Sequence, residues 1–180
     1  HLRLAECLRA AGDAKAAEAA LRRAIEGGLD DREVWDLWAA VSLADLKRPP
    51  ADLLADMPKA SAGAAGVTAK PPGYAADLRW LLESLANGDS LRINSSGDDY
   101  VAKDSRPWSR DRFFLSGMLN GEGNGFPHVF TLGIENTEDD FLYQTHRWFP
   151  ADQLHPRGYR FPVPPGDYEV TLHFAETYYW

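Results

Sequence analysis

Large aromatic side chains stand next to each other in two places near the end of the chain. Trp148 and Phe149 close the stretch LYQTHRWFP, and Tyr178, Tyr179 and Trp180 close the chain. Neighbouring side chains of a strand point to opposite faces, so at most one of Trp148 and Phe149 enters a core. An exposed aromatic ring removes the apolar C–H face of a pyranose from water, while polar groups bind its hydroxyls. The two interpretations are a sugar-binding surface and ordinary packing in a β domain.

The polar residues near these aromatics do not form a catalytic or metal-binding pattern. Asp139 and Asp140 are adjacent, so their side chains diverge and cannot make the opposed carboxylate pair of a glycosidase. Arg147 is expected to form a surface ion pair with one of them, with a sugar hydroxyl as the alternative. Four histidines lack a metal-ligand spacing such as H-x-x-x-H, namely His128, His146, His155 and His173. We expect no enzyme activity, no metal and no cofactor.

Composition limits the classes of partner. A formal net charge of −8 argues against nucleic acid, because phosphate neutralisation needs a basic face. No apolar run reaches the roughly 18 residues of a membrane span, and Cys7 is the single cysteine, which excludes an intrachain disulfide. Of the 21 aromatic residues, 17 follow residue 90, whereas most alanines precede it, which indicates a domain boundary there.

Residues 1–57 predict a helical segment. Residues 2–11 and 14–27 have helical periodicity and are joined by a turn and cap signal at Gly12-Asp13. Asp31 is expected to cap a third helix, which the prolines of KRPP end. Residues 51–57 add a short helical turn.

The first helical pair resembles a tetratricopeptide repeat. The residues at the repeat's packing positions are Leu4, Ala5, Leu8, Ala17, Leu21 and Ala24. The resemblance implies an adaptor that packs against or binds a protein partner. Because one repeat is too few for stability, it also predicts further repeats upstream. The alternative is a generic helical hairpin.

A linker and one more helix follow. Residues 58–73, PKASAGAAGVTAKPPG, are rich in small residues and predict a flexible linker. Residues 74–89 predict an amphipathic helix that ends at Asn87-Gly88. Its inward residues are Leu78, Leu81, Leu82 and Leu85.

Residues 90–180 predict short strands joined by Gly/Pro turns, the pattern of a jelly-roll-like antiparallel β-sandwich. Strands are expected at SLRIN, FLYQTHRWF and YRFPV, and in the last segment, where Val170, Leu172 and Phe174 alternate. The fold class is therefore multidomain α plus β, with a helical repeat-like segment, a linker and a partial sandwich. Because the chain stops at Trp180 just after an apolar strand, we expect a fragment with a truncated sandwich.

Three segments of residues 90–180 resemble the malectin family, in the order LRINSSGDDY, DDFLYQTHRW and PPGDYEVTLHFAETYY. The resemblance covers about the first half of such a domain. It implies non-catalytic binding of glucose-containing, glucan-type oligosaccharides by a lectin-like β-sandwich, a module found in many bacterial multidomain proteins. The loop aromatics that it implies as sugar contacts, termed the sugar platform, are Phe126, Trp148, Tyr178 and Tyr179. The rival interpretation is a protein–protein interaction or structural module with no sugar site.

Overall fold

The computed structural model describes residues 2–59, 73–115, 118–119, 133–148 and 157–175, with the backbone alone at 118–119 and 148. The chain divides into two compact units. One comprises His1–Ser90 and Pro162–Asp167, and the other Leu91–Phe161 and Tyr168–Trp180. The predicted domain bounds at 1–57, 58–73, 74–89 and 90–180 stay predictions, and residues 60–72 of the linker lie outside the described residues.

Residues 2–55 and 74–87 of the first unit are mainly helical, whereas Pro162–Asp167 contains no helix. The helical elements are α1 (Leu2–Ala10), α2 (Ala14–Glu26), α3 (Arg32–Ala40), a π-helical turn (Val41–Asp45), α4 (Pro50–Ala55) and α5 (Tyr74–Asn87). The predicted N-terminal helical segment is therefore present. Proline at the start of α4 suits the first helical turn, where no backbone N–H is required.

Local capping chemistry explains several helix ends. Asp13 Oδ1 accepts a hydrogen bond from Ala16 N at 3.0 Å, which satisfies one of the unpaired N–H groups at the start of α2. Asp31 stands at the cap position of α3, but its side chain makes no capping hydrogen bond, so that prediction is wrong. Gly88 ends α5 with φ of +73°, which glycine adopts without steric penalty.

Two tryptophans fill the core of the helical unit. Trp35 and Trp38 are fully buried and meet edge to face, with ring centroids 5.9 Å apart. Trp35 Nε1 donates to Asp30 Oδ1 at 2.9 Å, and Trp38 Nε1 donates to Glu18 Oε1 at 3.0 Å. Each buried indole N–H therefore has an acceptor and avoids the cost of an unsatisfied donor.

Three of the residues at repeat-like positions in α1 and α2 are completely buried. Ala5, Ala17 and Leu21 are fully buried, as their repeat-like positions predict. Leu4 is instead 52% exposed, so its predicted packing role is wrong within this hairpin. About half of the Leu4 side chain therefore faces solvent instead of packing between the helices. The tetratricopeptide assignment itself stays a prediction.

The second unit contains two short antiparallel strand pairs. They are β1 (Tyr100–Val101) with β2 (Pro107–Trp108), and β3 (Met118–Leu119) with β4 (Arg147–Trp148). Tyr100 stands opposite Trp108, and Met118 opposite Trp148. Isolated bridges join Ile93 to Ser109 and Phe114 to Tyr159. The described residues do not form a full β-sandwich.

The strand predicted at residues 141–149 is wrong in its first half. Phe141–Gln144 forms a short helix, α6, and only Arg147–Trp148 is a strand. Asp140 Oδ1 accepts a hydrogen bond from Ile134 N at 2.8 Å just before α6. Such a side-chain-to-backbone bond turns the chain and competes with an extended ladder.

Other predicted strands are reduced or absent. Residues 90–94 and 159–163 contribute one bridge each, at Ile93 and Tyr159. Residues 168–175 form no strand. Their alternating apolar residues are 70–83% exposed, namely Val170, Leu172 and Phe174. Alternation makes a segment amphipathic, but a strand also needs a ladder partner, and no described residue pairs with this segment.

Candidate functional site

Most of the sugar platform lies outside the described residues. This applies to Phe126, Tyr178 and Tyr179 entirely, and to the side chain of Trp148. The backbone of Trp148 is described in β4, where it pairs with Met118. The platform therefore stays a prediction, and the described residues define what holds β4 in place.

A buried ion pair anchors the start of β4. Arg147 Nε and Nη2 both donate to Asp111 Oδ2, at 2.9 and 2.5 Å, and the two side chains are 4% and 8% exposed. The guanidinium also lies 3.7 Å from the centroid of the Phe114 ring, a cation–π geometry. The predicted surface pair with Asp139 or Asp140 is therefore wrong. Asp111 lies 36 residues earlier, so no local pattern could indicate it.

The same carboxylate accepts a hydrogen bond from a tyrosine. The Tyr159 hydroxyl donates to Asp111 Oδ1 at 2.8 Å and accepts from Ser95 Oγ at 2.7 Å. Burial is the main cause that raises the pKa of Tyr159 to about 12, so the hydroxyl stays a donor at neutral pH. Sequence reasoning missed Ser95, Asp111 and Tyr159, which together with Arg147 form a continuous polar network.

Five ring-bearing side chains gather around the β1–β2 hairpin and are termed the aromatic cluster: Tyr100, Trp108, Phe141, Tyr143 and His173. Tyr100 and Trp108 are directly opposite in the ladder and so share one face. Phe141 stacks on Tyr100 with centroids 5.3 Å apart, and His173 meets Trp108 edge-on at 5.3 Å. The Tyr143 hydroxyl lies 3.3 Å from His173 Nδ1. Sequence reasoning did not predict that these five side chains meet.

The two adjacent aspartates serve different neighbours, as their divergence predicts. Asp139 Oδ1 accepts from the Tyr100 hydroxyl and from Lys103 N, both at 2.9 Å. Asp140 Oδ1 accepts from Ile134 N. The two carboxylates are therefore held in separate hydrogen-bonded positions.

Within the described ranges, no group of three or more His, Cys, Asp or Glu side chains could hold a metal ion. Burial lowers the pKa of His146, which favours its neutral form. His128 and His155 lie outside the described residues. No helix of the described segments is both long and apolar enough to cross a membrane.

A comparison with models of known families matches residues 89–180, just over half of the chain, to the malectin domain. The chain belongs to the malectin family. Malectin domains are carbohydrate-binding modules without catalytic activity, so the match supports carbohydrate binding in general. Neither a curated protein nor a solved structure matches the chain.

The described part of the malectin domain brings together the three segments that resemble the family in sequence. Asn94, of the first segment, accepts a hydrogen bond on Oδ1 from Thr145 Oγ1 of the second at 3.3 Å. Tyr143, of the second, lies against His173 of the third. The Asn94 side chain also donates to Asp98 O at 2.9 Å and packs directly over Gly97, where any Cβ would clash with it.

Proposed function

We propose that this protein binds glucose-containing oligosaccharides through its malectin domain, without acting on them chemically. The family match over residues 89–180 carries the proposal. The contacts are the sugar platform, in which the ring of Trp148 stacks on the apolar face of a pyranose. A neutral sugar also suits a chain of net charge −8, because an anionic ligand would be repelled over a long range.

The buried pair of Arg147 and Asp111 supports this role, since it fixes the residue that directly precedes Trp148. A binding surface that is ordered before the ligand arrives loses less conformational entropy on binding. The cation–π contact with Phe114 adds a second restraint on the same side chain. In this proposal the network contributes rigidity and the platform contributes the contact with sugar.

Isothermal titration calorimetry with maltose and nigerose tests the proposal. The wild-type protein is expected to bind at least one of them saturably, and Trp148→Ala to weaken binding about tenfold or more, as for a central aromatic contact. Trp148→Phe is the matched control, because it keeps a ring face and should retain most of the affinity. If the folded protein gives no heat of binding with either sugar, glucan binding is rejected.

We also infer an adaptor role for the helical segment, with a protein partner. Its support is the burial of the small residues Ala5 and Ala17 in α1 and α2, together with the exposed Leu4, an apolar side chain available for contact. Under this proposal Leu4→Ser weakens a partner complex and leaves sugar affinity unchanged. Equal partner affinity in the wild-type and Leu4→Ser proteins would show that this surface is not used.

An interaction module without a sugar site is the second candidate. The exposed residues Val170, Leu172 and Phe174 favour it, because neighbouring exposed apolar side chains often mark protein contacts. In that case Leu172→Lys would abolish a protein interaction, and the titrations with sugar would give no heat.

A further inference from the structure

Phe141 presents part of an aromatic ring to solvent at one end of the aromatic cluster. It is the first residue of α6 and is 38% exposed. Tyr100 stacks against it with an angle of 27° between the ring planes. Tyr100 therefore covers one face of the Phe141 ring, and this stacking restrains the orientation of the ring. A ring held in this way is already positioned to receive another flat apolar surface.

A carboxylate lies against the same tyrosine. Asp139 Oδ1 accepts from the Tyr100 hydroxyl and from Lys103 N, whereas Asp139 Oδ2 receives no hydrogen bond from the described residues. The hydrogen bond with Asp139 raises the pKa of Tyr100, so the hydroxyl remains a donor and keeps the carboxylate oriented. Tyr100 therefore holds an aromatic ring by its face and a carboxylate by its hydroxyl.

These two groups match the two kinds of surface on a neutral pyranose. The apolar C–H face suits the Phe141 ring, and the hydroxyl rim suits a carboxylate oxygen, which makes strong charge-assisted hydrogen bonds. The exposed Asp104 and Arg106 pair with each other. The exposed Lys103 and Glu138 carry opposite charges, so these four residues together add no net charge. Since Asp139 itself is anionic, a sugar carrying phosphate, sulfate or carboxylate groups would be disfavoured.

We propose that Phe141 and Asp139 form a second carbohydrate contact, in which Phe141 stacks on a neutral pyranose and Asp139 Oδ2 accepts hydrogen bonds from its hydroxyls. This contact rests on the proposed function, because it takes the same class of ligand. It uses none of the four residues of the sugar platform. It would add a second contact for sugar within the malectin domain.

Amide NMR of the ¹⁵N-labelled protein during titration with maltotetraose tests the contact. The Lys103 amide is a direct reporter, because it donates to Asp139 Oδ1. We expect saturable shifts at Lys103 and Phe141 in the wild-type protein. Phe141→Leu, which keeps apolar bulk on Tyr100, should raise the apparent Kd from these shifts about two- to tenfold.

Two further variants make the test specific. Asp139→Asn keeps an oxygen for Tyr100 and Lys103 but replaces Oδ2 by a donor, so it should weaken the shifts without unfolding the hairpin. Val101→Ala is the matched control, because Val101 is 66% exposed on the opposite face of β1 and should change nothing. Trp148→Ala should leave the shifts at Lys103 in place.

The outcomes separate this contact from the proposed function. If other amides shift saturably while Lys103 and Phe141 do not, the second contact is rejected and sugar binding stands. If Trp148→Ala removes the Lys103 shift, the effect is transmitted from the platform and the separate contact is rejected. If no amide shifts, both proposals fail for glucans.

Discussion

Replacing Asp111 by asparagine should destabilise the malectin domain far more than the same replacement at Asp104. Both aspartates pair with an arginine. The pair of Asp111 with Arg147 has side chains 8% and 4% exposed, whereas the pair of Asp104 with Arg106 has side chains 44% and 61% exposed. The two substitutions remove the same charge, one in a buried pair and one in an exposed pair. The difference between their effects on the free energy of unfolding therefore measures how much burial strengthens the pair.

The expected loss in free energy of unfolding follows from the group that each substitution leaves without its partner. Asp111→Asn leaves the buried Arg147 guanidinium without the carboxylate that balances its charge, and breaking a buried pair costs about 3–5 kcal/mol. The asparagine oxygen still accepts one hydrogen bond, so we expect the lower end, about 3 kcal/mol. At Asp104 water screens the charge, and we expect little change.

Native-state hydrogen exchange measures the loss of stability of the malectin domain in each variant. The Leu115 amide donates to Gly158 O at 2.8 Å, and the Arg160 amide donates to Phe113 O at 2.9 Å. A loss of about 3 kcal/mol accelerates exchange through global opening about 100-fold. A change of less than threefold in these exchange rates for Asp111→Asn, or one no larger than that for Asp104→Asn, would contradict the prediction.

Three further predictions concern single groups. The pKa of Tyr159 in the folded state is raised to about 12, so its contribution to domain stability is complete below pH 10 and is lost between pH 10 and about 12. The free energy of unfolding in urea should therefore fall with pH over this range, and Tyr159→Phe should remove that fall. Gly97→Ala should lower the melting temperature measured by calorimetry, because the new Cβ displaces the buried Asn94 side chain, whereas Gly12→Ala, with open space around its Cβ, should cost only backbone strain. Glu18→Ala should destabilise the helical unit by about 1–3 kcal/mol in urea, since the buried Trp38 N–H loses its acceptor, and Glu18→Gln should cost less.

The helical unit could be predicted from sequence because its signals are local. Asp13 and Gly88 act on backbone groups within a few residues, so each marks its helix end in any fold that contains the helix. Asp31 shows the limit of this reasoning. It occupies the cap position, yet its side chain makes no capping bond, because a residue type permits a cap without enforcing it.

The strands and the candidate site depend on partners far away in the chain, and sequence patterns do not specify partners. The alternation at residues 168–175 describes one segment and says nothing about what it pairs with. The sequence around Asp111 does not predict its ion pair with Arg147, and the sequence around Tyr100 does not predict its stacking on Phe141. The family resemblance identified the domain, which these patterns could not do. It did not locate the packing contacts between distant residues.

The exposed segment at residues 168–175 has a consequence for the solubility of the protein. Val170-Thr171-Leu172-His173-Phe174 is rich in β-formers, lacks proline and glycine, and carries no Asp, Glu, Lys or Arg. An accessible stretch of this composition is a nucleus for ordered aggregation. The highest concentration at which the protein stays monomeric should therefore depend on these five residues, and a charged residue at position 172 should raise it.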